Sequence, residues 1–346
     1  MNIVNFETCE KVKRRGYRGN AGRKLPYLYN NSLWIVKFPS STKEMKGNHL
    51  PSYTSSPISE YIGSHIYESL GIDVHETVLG YCEGKIVVGC KDFAVNKTLL
   101  EYSQIKNTIS EDLIFGTYGS SSAGERLNDV LNVIKSSEDF ADIRSEAIER
   151  FWDMFVVDAF IHNNDRNNGN WGILFDNYFI KMAPVYDNGN AFFNKRNPSL
   201  MKTRTEQENL IKEDAITGRS FFLDDNDKKI NPLKYLETTQ DEDCLSALKR
   251  FSERLDIDKI NKVIDSIPNE AFGLSVIRDE QKEFIKVLLE KTYKEGLLVA
   301  INRLKRPEPI KSPAELADHA IKKAKSLNNK QNDLMMTKKN TSQRLR

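Results

Sequence analysis

His162-Asn163-Asn164-Asp165-Arg166-Asn167-Asn168-Gly169-Asn170 is the stretch whose reading decides the fold. Before it, Ile148, Phe151, Trp152, Phe155, Val156, Ala159 and Phe160 recur at helical spacing, so residues 145–161 predict a buried helix. After it, Trp171–Phe175 and Phe179–Val185 read as two short strands around Asp176-Asn177. Packing does not call for so polar a nonamer at the exit of a buried element. Asp165 and Asn170 stand five apart, and Asp187 follows Asp165 by 22 residues, at the end of the second expected strand.

That set suits phosphoryl transfer from ATP, which needs little covalent work from the protein. One carboxylate orients the acceptor hydroxyl, and oxygen donors hold magnesium against the triphosphate. Asp165 fits the first role; Asn170 and Asp187 fit the second. A plain Asx-rich turn remains an alternative for the nonamer alone. A calcium loop does not fit: with Asn163, Asp165 and Asn167 as its first ligands, Asn168 falls where glycine is required and Leu174 where an acid is required. The glycine- and serine-rich run 116–124 lacks the GK[ST] ending of a P-loop and reads as a linker.

Working outward, Tyr27–Phe38 predicts a hairpin turning at Asn30-Asn31. Its second strand places Lys37 among apolar neighbours, where burial without an anionic partner is costly. Residues 39–57 read as a loop, and Ser56-Pro57 as a helix start with Ser56 as its cap. The expected buried stripe is Ile58, Tyr61, Ile62, His65, Ile66, Ser69 and Leu70, with Gly71 as the stop. Glu60 on that helix is the candidate partner of Lys37. Upstream, Gly16, Gly19 and Gly22 could let backbone amides approach phosphates. Glu76–Tyr81 and Lys85–Cys90 read as strands joined by Cys82-Glu83-Gly84. Further helices are expected at 241–255, 257–267 and 278–304.

The expected fold class is α+β and bilobal. It comprises a β-rich N-lobe over 1–93, a helical C-lobe over 94–304 and a basic tail over 305–346. The tail holds eleven Lys or Arg against four Asp or Glu, a net of +7 in a chain whose total is +2. It reads as a solvated extension or as an arm for an acidic partner. The overall charge gives no strong case for nucleic acid or membrane. The four cysteines show no metal-type spacing, which suits a reducing compartment. No stretch resembles a cleavable signal peptide or a membrane span. The expected location is the bacterial cytoplasm, or secretion by another route with action in host cells.

In order, the glycine loop, VKFP with Lys37, SEY with Glu60, VVGCKDF at 87–93, NNDRNNGN at 163–170 and APVYDNG at 183–189 resemble the HipA-like serine/threonine kinases over roughly residues 1–300. The resemblance implies a protein-kinase-like fold and an ATP- and magnesium-dependent kinase, autophosphorylating, with a role in virulence. By matched position it implies Asp165 as the catalytic aspartate and Asn170 and Asp187 as metal ligands. It also implies Lys37, paired with Glu60, on the ATP phosphates, and Gly19, Asn20, Ala21, Gly22 and Lys24 in the phosphate-covering loop. The backbone of Lys91, Asp92 and Phe93 would hold adenine, and Asn167 would assist nucleotide binding. Lys37 comes too early for the long amino-terminal subdomain of toxin-type members, so antitoxin pairing and DNA binding are not expected. The glycine loop has no serine, so inactivation at a loop serine is not expected either. His162 is expected to be structural. The acceptor is expected to be a protein hydroxyl, with host proteins among the candidate partners. A lipid or small-molecule kinase, or a non-catalytic ATP-binding module, is the alternative. Neither the phosphorylated protein nor the oligomeric state follows from the sequence.

Overall fold

Two consecutive asparagines, Asn30 and Asn31, adopt positive φ angles of 48° and 58° and close a two-residue hairpin between β3 (Lys24–Tyr29) and β4 (Ser32–Lys37). The computed structural model describes residues 1–13, 23–45, 50–106 and 124–304. A second tight turn, at Glu83 and Gly84 with φ of 48° and 68°, joins β5 (Thr77–Cys82) to β6 (Lys85–Lys91). With β1 (Val4–Asn5) and β2 (Glu10–Lys11), these strands form a six-stranded sheet of order β1-β5-β6-β4-β3-β2. Only the β1–β5 pairing in it is parallel.

The sheet closes over Phe6, which is fully buried among Tyr27, Trp34, Val36, Cys82 and Val87. Gly80 and Gly89 make room for that ring: a Cβ on either would lie 2.4 or 2.5 Å from its carbons. Burying a ring of this size is worth about 1.5–3 kcal/mol.

Helix α1 (Ser56–Ser69) packs on β5 and β6. The apolar stripe expected of it is buried at Ile58, Tyr61, Ile62, Ile66 and Leu70, but so are Ser59, Glu60, Gly63 and Ser64 on its other side. The helix is therefore enclosed between the sheet and the helical part of the chain. Its cap differs from expectation. Ser55, not Ser56, is the capping residue, and its hydroxyl is spent on the Asn194 carbonyl at 3.1 Å. The stop at Gly71 holds: φ is +71°, the Gly71 amide donates to Glu68 and the Ile72 amide to Tyr67.

Beyond β7 (Thr98–Glu101) and β8 (Glu125–Arg126) the chain is mainly helical. Helix α2 (Leu127–Ser136) leads to α3 (Arg144–Ile161), which is buried along most of its length. β9 (Gly172–Phe175) and β10 (Ile180–Met182) form a small antiparallel sheet with β7 in the order β10-β9-β7. The strand expected over Phe179–Val185 thus stops at Met182, and Val185 makes only an isolated bridge to Val74. The helical body is completed by α4 (Pro198–Glu206), α5 (Glu208–Ile216), α6 (Pro232–Thr238), α7 (Glu242–Arg254), α8 (Ile257–Ser266), α9 (Asp279–Lys291) and α10 (Leu298–Leu304). Two short strand pairs complete it: β11 (Phe222–Leu223) runs parallel to β8, and β12 (Glu270–Ala271) pairs with β13 (Leu274–Ser275). The single helix expected over 278–304 is interrupted by a π-helical turn at Thr292–Leu297. Gly296 lies in that turn, where a Cβ would sit 3.0 Å from Leu233. The fold is bilobal α+β: a small β-rich lobe bearing α1, and a larger helical lobe.

Candidate active site

Between the sheet and the helical body lies a cleft of about 1710 Å³. Lys37, Glu60, Asp165, Asn167, Asn170 and Asp187 all line it. Lys37 arrives on the end of β4, Glu60 on α1, Asp165 to Asn170 on the loop after α3, and Asp187 after β10. Four separate segments therefore converge.

The Lys37 ammonium contacts the Glu60 carboxylate at 3.3 Å and the Asp187 carboxylate directly, across 150 residues of chain. Burial works against a charge on Lys37, but the Asp187 and Glu60 carboxylates more than offset it and hold the amine well above its ordinary pKa. Burial likewise works against charge on Glu60 and Asp187. The nearby lysine reverses the balance, and both carboxyls lie below the usual range. The trio is thus charged at neutral pH.

Asp165 is half-buried at the cleft wall. Its carboxylate accepts from Asn167 Nδ2 at 3.0 Å, and its carbonyl accepts from Asn170 Nδ2 at 2.6 Å. Asn167 Oδ1 in turn accepts from the Gly169 amide at 2.9 Å. Asn167 therefore orients Asp165. The nonamer is a self-bonded loop whose conformation is set by its own amides.

Arg166 ties this loop to the segment that carries Asp187. It is buried, and both of its faces are occupied. Nε and Nη2 donate to the Asp158 carboxylate at 2.8 and 3.0 Å. Nη1 donates to the Asn170 and Tyr186 carbonyls at 3.0 and 2.5 Å, and Nη2 to Asn188 Oδ1 at 2.7 Å. Tyr186 and Asn188 flank Asp187, whose φ of +58° is unusual for a residue with a Cβ. The guanidinium grips both sides of that strained residue. Asn188 also donates to Ser64 Oγ on α1 at 3.1 Å. Sequence reasoning singled out neither Arg166 nor Asp158 nor Asn188. The available signal was Asp158, one of two acids, with Asp153, amid the apolar run of α3.

His162 ends α3 with φ +56°. Its Nε2 lies 2.7 Å from Thr292 Oγ1, and burial lowers its pKa to about 4. It is a neutral packing residue.

Lys24 stands opposite Lys37 in the β3–β4 register and lines the cleft. Lys91, Asp92 and Phe93 lie at the end of β6 along the cleft edge. Two of their amides are already bonded within the protein: Lys91 donates to the Glu76 carbonyl and Asp92 to the Leu33 carbonyl, at 2.9 and 2.8 Å. Gly16, Gly19, Asn20, Ala21 and Gly22 lie outside the described residues, as do most of 116–124 and the tail from 305.

The HipA-like C-terminal domain profile matches residues 21–240, more than half of the chain. The chain belongs to the HipA-like kinases. Within that family it is 35% identical over 316 residues to the serine/threonine-protein kinase CtkA of Helicobacter pylori (strain J99 / ATCC 700824), covering 88% of this chain and 89% of that one. A crystal structure of a Helicobacter pylori proinflammatory kinase CtkA superposes with a TM-score of 0.76 at 33% identity, over 87% of this chain and 98% of that chain. The HipA of Shewanella oneidensis MR-1, solved with HipB and operator DNA, has a TM-score of 0.51 at 14% identity, over 84% of this chain and 66% of its own. This last likeness is one of fold alone. Among the described residues of this HipA-like chain, no helix is long and apolar enough to cross a membrane.

Proposed function

We propose that the chain is an ATP- and magnesium-dependent protein kinase that phosphorylates serine or threonine, itself included. The observation that carries this is the contact of Lys37 with both Glu60 and Asp187 in the cleft that Asp165 also lines. A charged lysine held by two carboxylates is placed to meet the phosphates of ATP. The printed name of the CtkA relative, a serine/threonine-protein kinase, supports the choice of acceptor.

The donor set suits magnesium. Asp187 supplies a carboxylate kept ionised by Lys37, and Asn170 spends its amide nitrogen on the Asp165 carbonyl, which leaves its oxygen as a further hard donor. Asn170 and Asp187 are the residues that would hold the ion, whose contribution is to neutralise phosphate charge. Asp165, oriented by Asn167, accepts the proton of the acceptor hydroxyl and aims its oxygen at the γ-phosphorus. The bond from the hydroxyl oxygen to phosphorus forms as the bond to the leaving ADP oxygen breaks. Lys37 balances the charge left on the phosphates, and Glu60 fixes its position. With the Lys91 and Asp92 amides already used, adenine contact falls to the Phe93 amide and to neighbouring carbonyls.

The test is incorporation of label from γ-labelled ATP with magnesium, followed by phosphosite mapping. Asp165→Ala should lower the rate about 10²–10⁴-fold, with the wild-type label on Ser or Thr. Equal incorporation by the two proteins would overturn the assignment.

A further inference from the structure

One cluster on the cleft wall includes two donors, His75 and Cys90, that the proposed phosphoryl transfer does not use. Glu60 on α1, His75 just before β5 and Cys90 on β6 are all buried, and one donor atom from each lies within 4.8 Å of the others. All three line the cleft. His75 Nε2 lies 2.9 Å from Glu60 Oε1 but is not aligned for a hydrogen bond, and it has no other partner among the described residues. The contact is electrostatic, and together with Lys37 it holds the Glu60 carboxyl down.

A metal ion would resolve that mismatch. Two donors bound tetrahedrally at about 2.0–2.1 Å from zinc are themselves about 3.3 Å apart. The nitrogen and oxygen are already within a few tenths of an ångström of that separation. Imidazole nitrogen and thiolate sulfur disfavour magnesium and suit a zinc-class ion. The Asn188 backbone amide bonds the Glu60 carboxylate, and the His75 backbone is anchored by its amide, which donates to the Val185 carbonyl at 3.0 Å. Access is through the cleft, which also supplies water for the fourth position.

We propose that Glu60, His75 and Cys90 bind a zinc-class divalent cation, and that binding there inhibits the enzyme. Cys90 loses its thiol proton to solvent as sulfur bonds the metal, and no oxidation state changes. The ion draws Glu60 away from Lys37, the lysine that the proposed reaction places on the phosphates. The inhibition rests on the kinase reading; the binding does not.

The test uses the metal-free full chain. Titrated with Zn²⁺ against a chromogenic chelator, it should bind one equivalent, and Co²⁺ should produce a thiolate-to-cobalt charge-transfer band. Only four cysteines are present, so the band is assignable. Cys90→Ser should abolish the band, Cys82→Ser should keep it, and His75→Gln should weaken Zn²⁺ binding at least about tenfold. Asp165→Ala should keep it too, which separates this site from the catalytic assignment. One equivalent of Zn²⁺ should suppress label incorporation by the wild type, relative to its own metal-free rate, more than it suppresses Cys90→Ser. A wild type without the band, or a Cys90→Ser protein that retains it, would overturn the site. Equal suppression of the two proteins would overturn the inhibition.

Discussion

Arg166 spends its guanidinium entirely inside the protein, on the Asp158 and Asn188 side chains and on two carbonyls. Its side chain is 3% exposed. Removing one member of a buried pair leaves the other charge uncompensated, at about 3–5 kcal/mol. Arg166→Met should therefore lower the melting temperature by roughly 10 °C, and Arg166→Lys by less, because lysine keeps the charge but not the planar fork. A calorimetric scan of Arg166→Met within about 2 °C of wild type would mean that the clamp does not hold Asp158 as described. At this scale the sequence was informative where one residue type serves one chemistry. Asp165, Asn170 and Asp187 could be singled out as candidates by their spacing and Lys37 by its burial cost, while their expected roles came from the resemblance to the HipA-like kinases. Arg166 could not, because its worth lies in partners before and after it that spacing does not reveal. His75 was missed for the same reason: its importance is its distance from Glu60, 15 residues away in sequence.

Helix α1 connects the sheet to the Asp187 segment, and its contact surface is set by small residues. A Cβ on Gly63 would lie 2.9 Å from Asn188 Cβ, and Ser64 Oγ accepts from Asn188 Nδ2. Alanine is the better helix former by about 1 kcal/mol, so helix propensity alone predicts that Gly63→Ala stabilises. The contact predicts the reverse: the segment of Tyr186 to Asn188 must shift away, taking Asp187 with it. Gly63→Ala should lower both the melting temperature and label incorporation. A higher melting temperature with unchanged incorporation would show that α1 does not seat that segment. Elements closed by local chemistry were legible in sequence, as at Asn30-Asn31 and at Gly71. Elements ended by tertiary contacts were not. The expected 278–304 helix is broken at the turn where Gly296 meets Leu233, and the expected 179–185 strand loses its partner after Met182.

Across the whole chain, the division into a β-rich and a helical lobe was readable because the apolar period changes from two to near four along the sequence. How closely the lobes meet was not readable, since the cleft depends on contacts such as that of Lys37 with Asp187. Residues Met1–Arg303 form one compact unit. Its last helix is fastened from within the unit: Arg303 Nη1 donates to the Glu237 carbonyl at 2.7 Å, and Nη2 donates to that of Thr239. The site residues described here also lie inside it. Removing 305–346 takes away a charge of +7 and leaves −5. Such a chain should keep its rate of label incorporation within about twofold, a barrier change of roughly 0.4 kcal/mol. It should also lose retention on a cation exchanger, an effect largest at low salt, where screening is weakest. A large fall in incorporation would mean that the basic segment completes the catalytic unit, and unchanged retention would mean that its charge is already neutralised within the full chain.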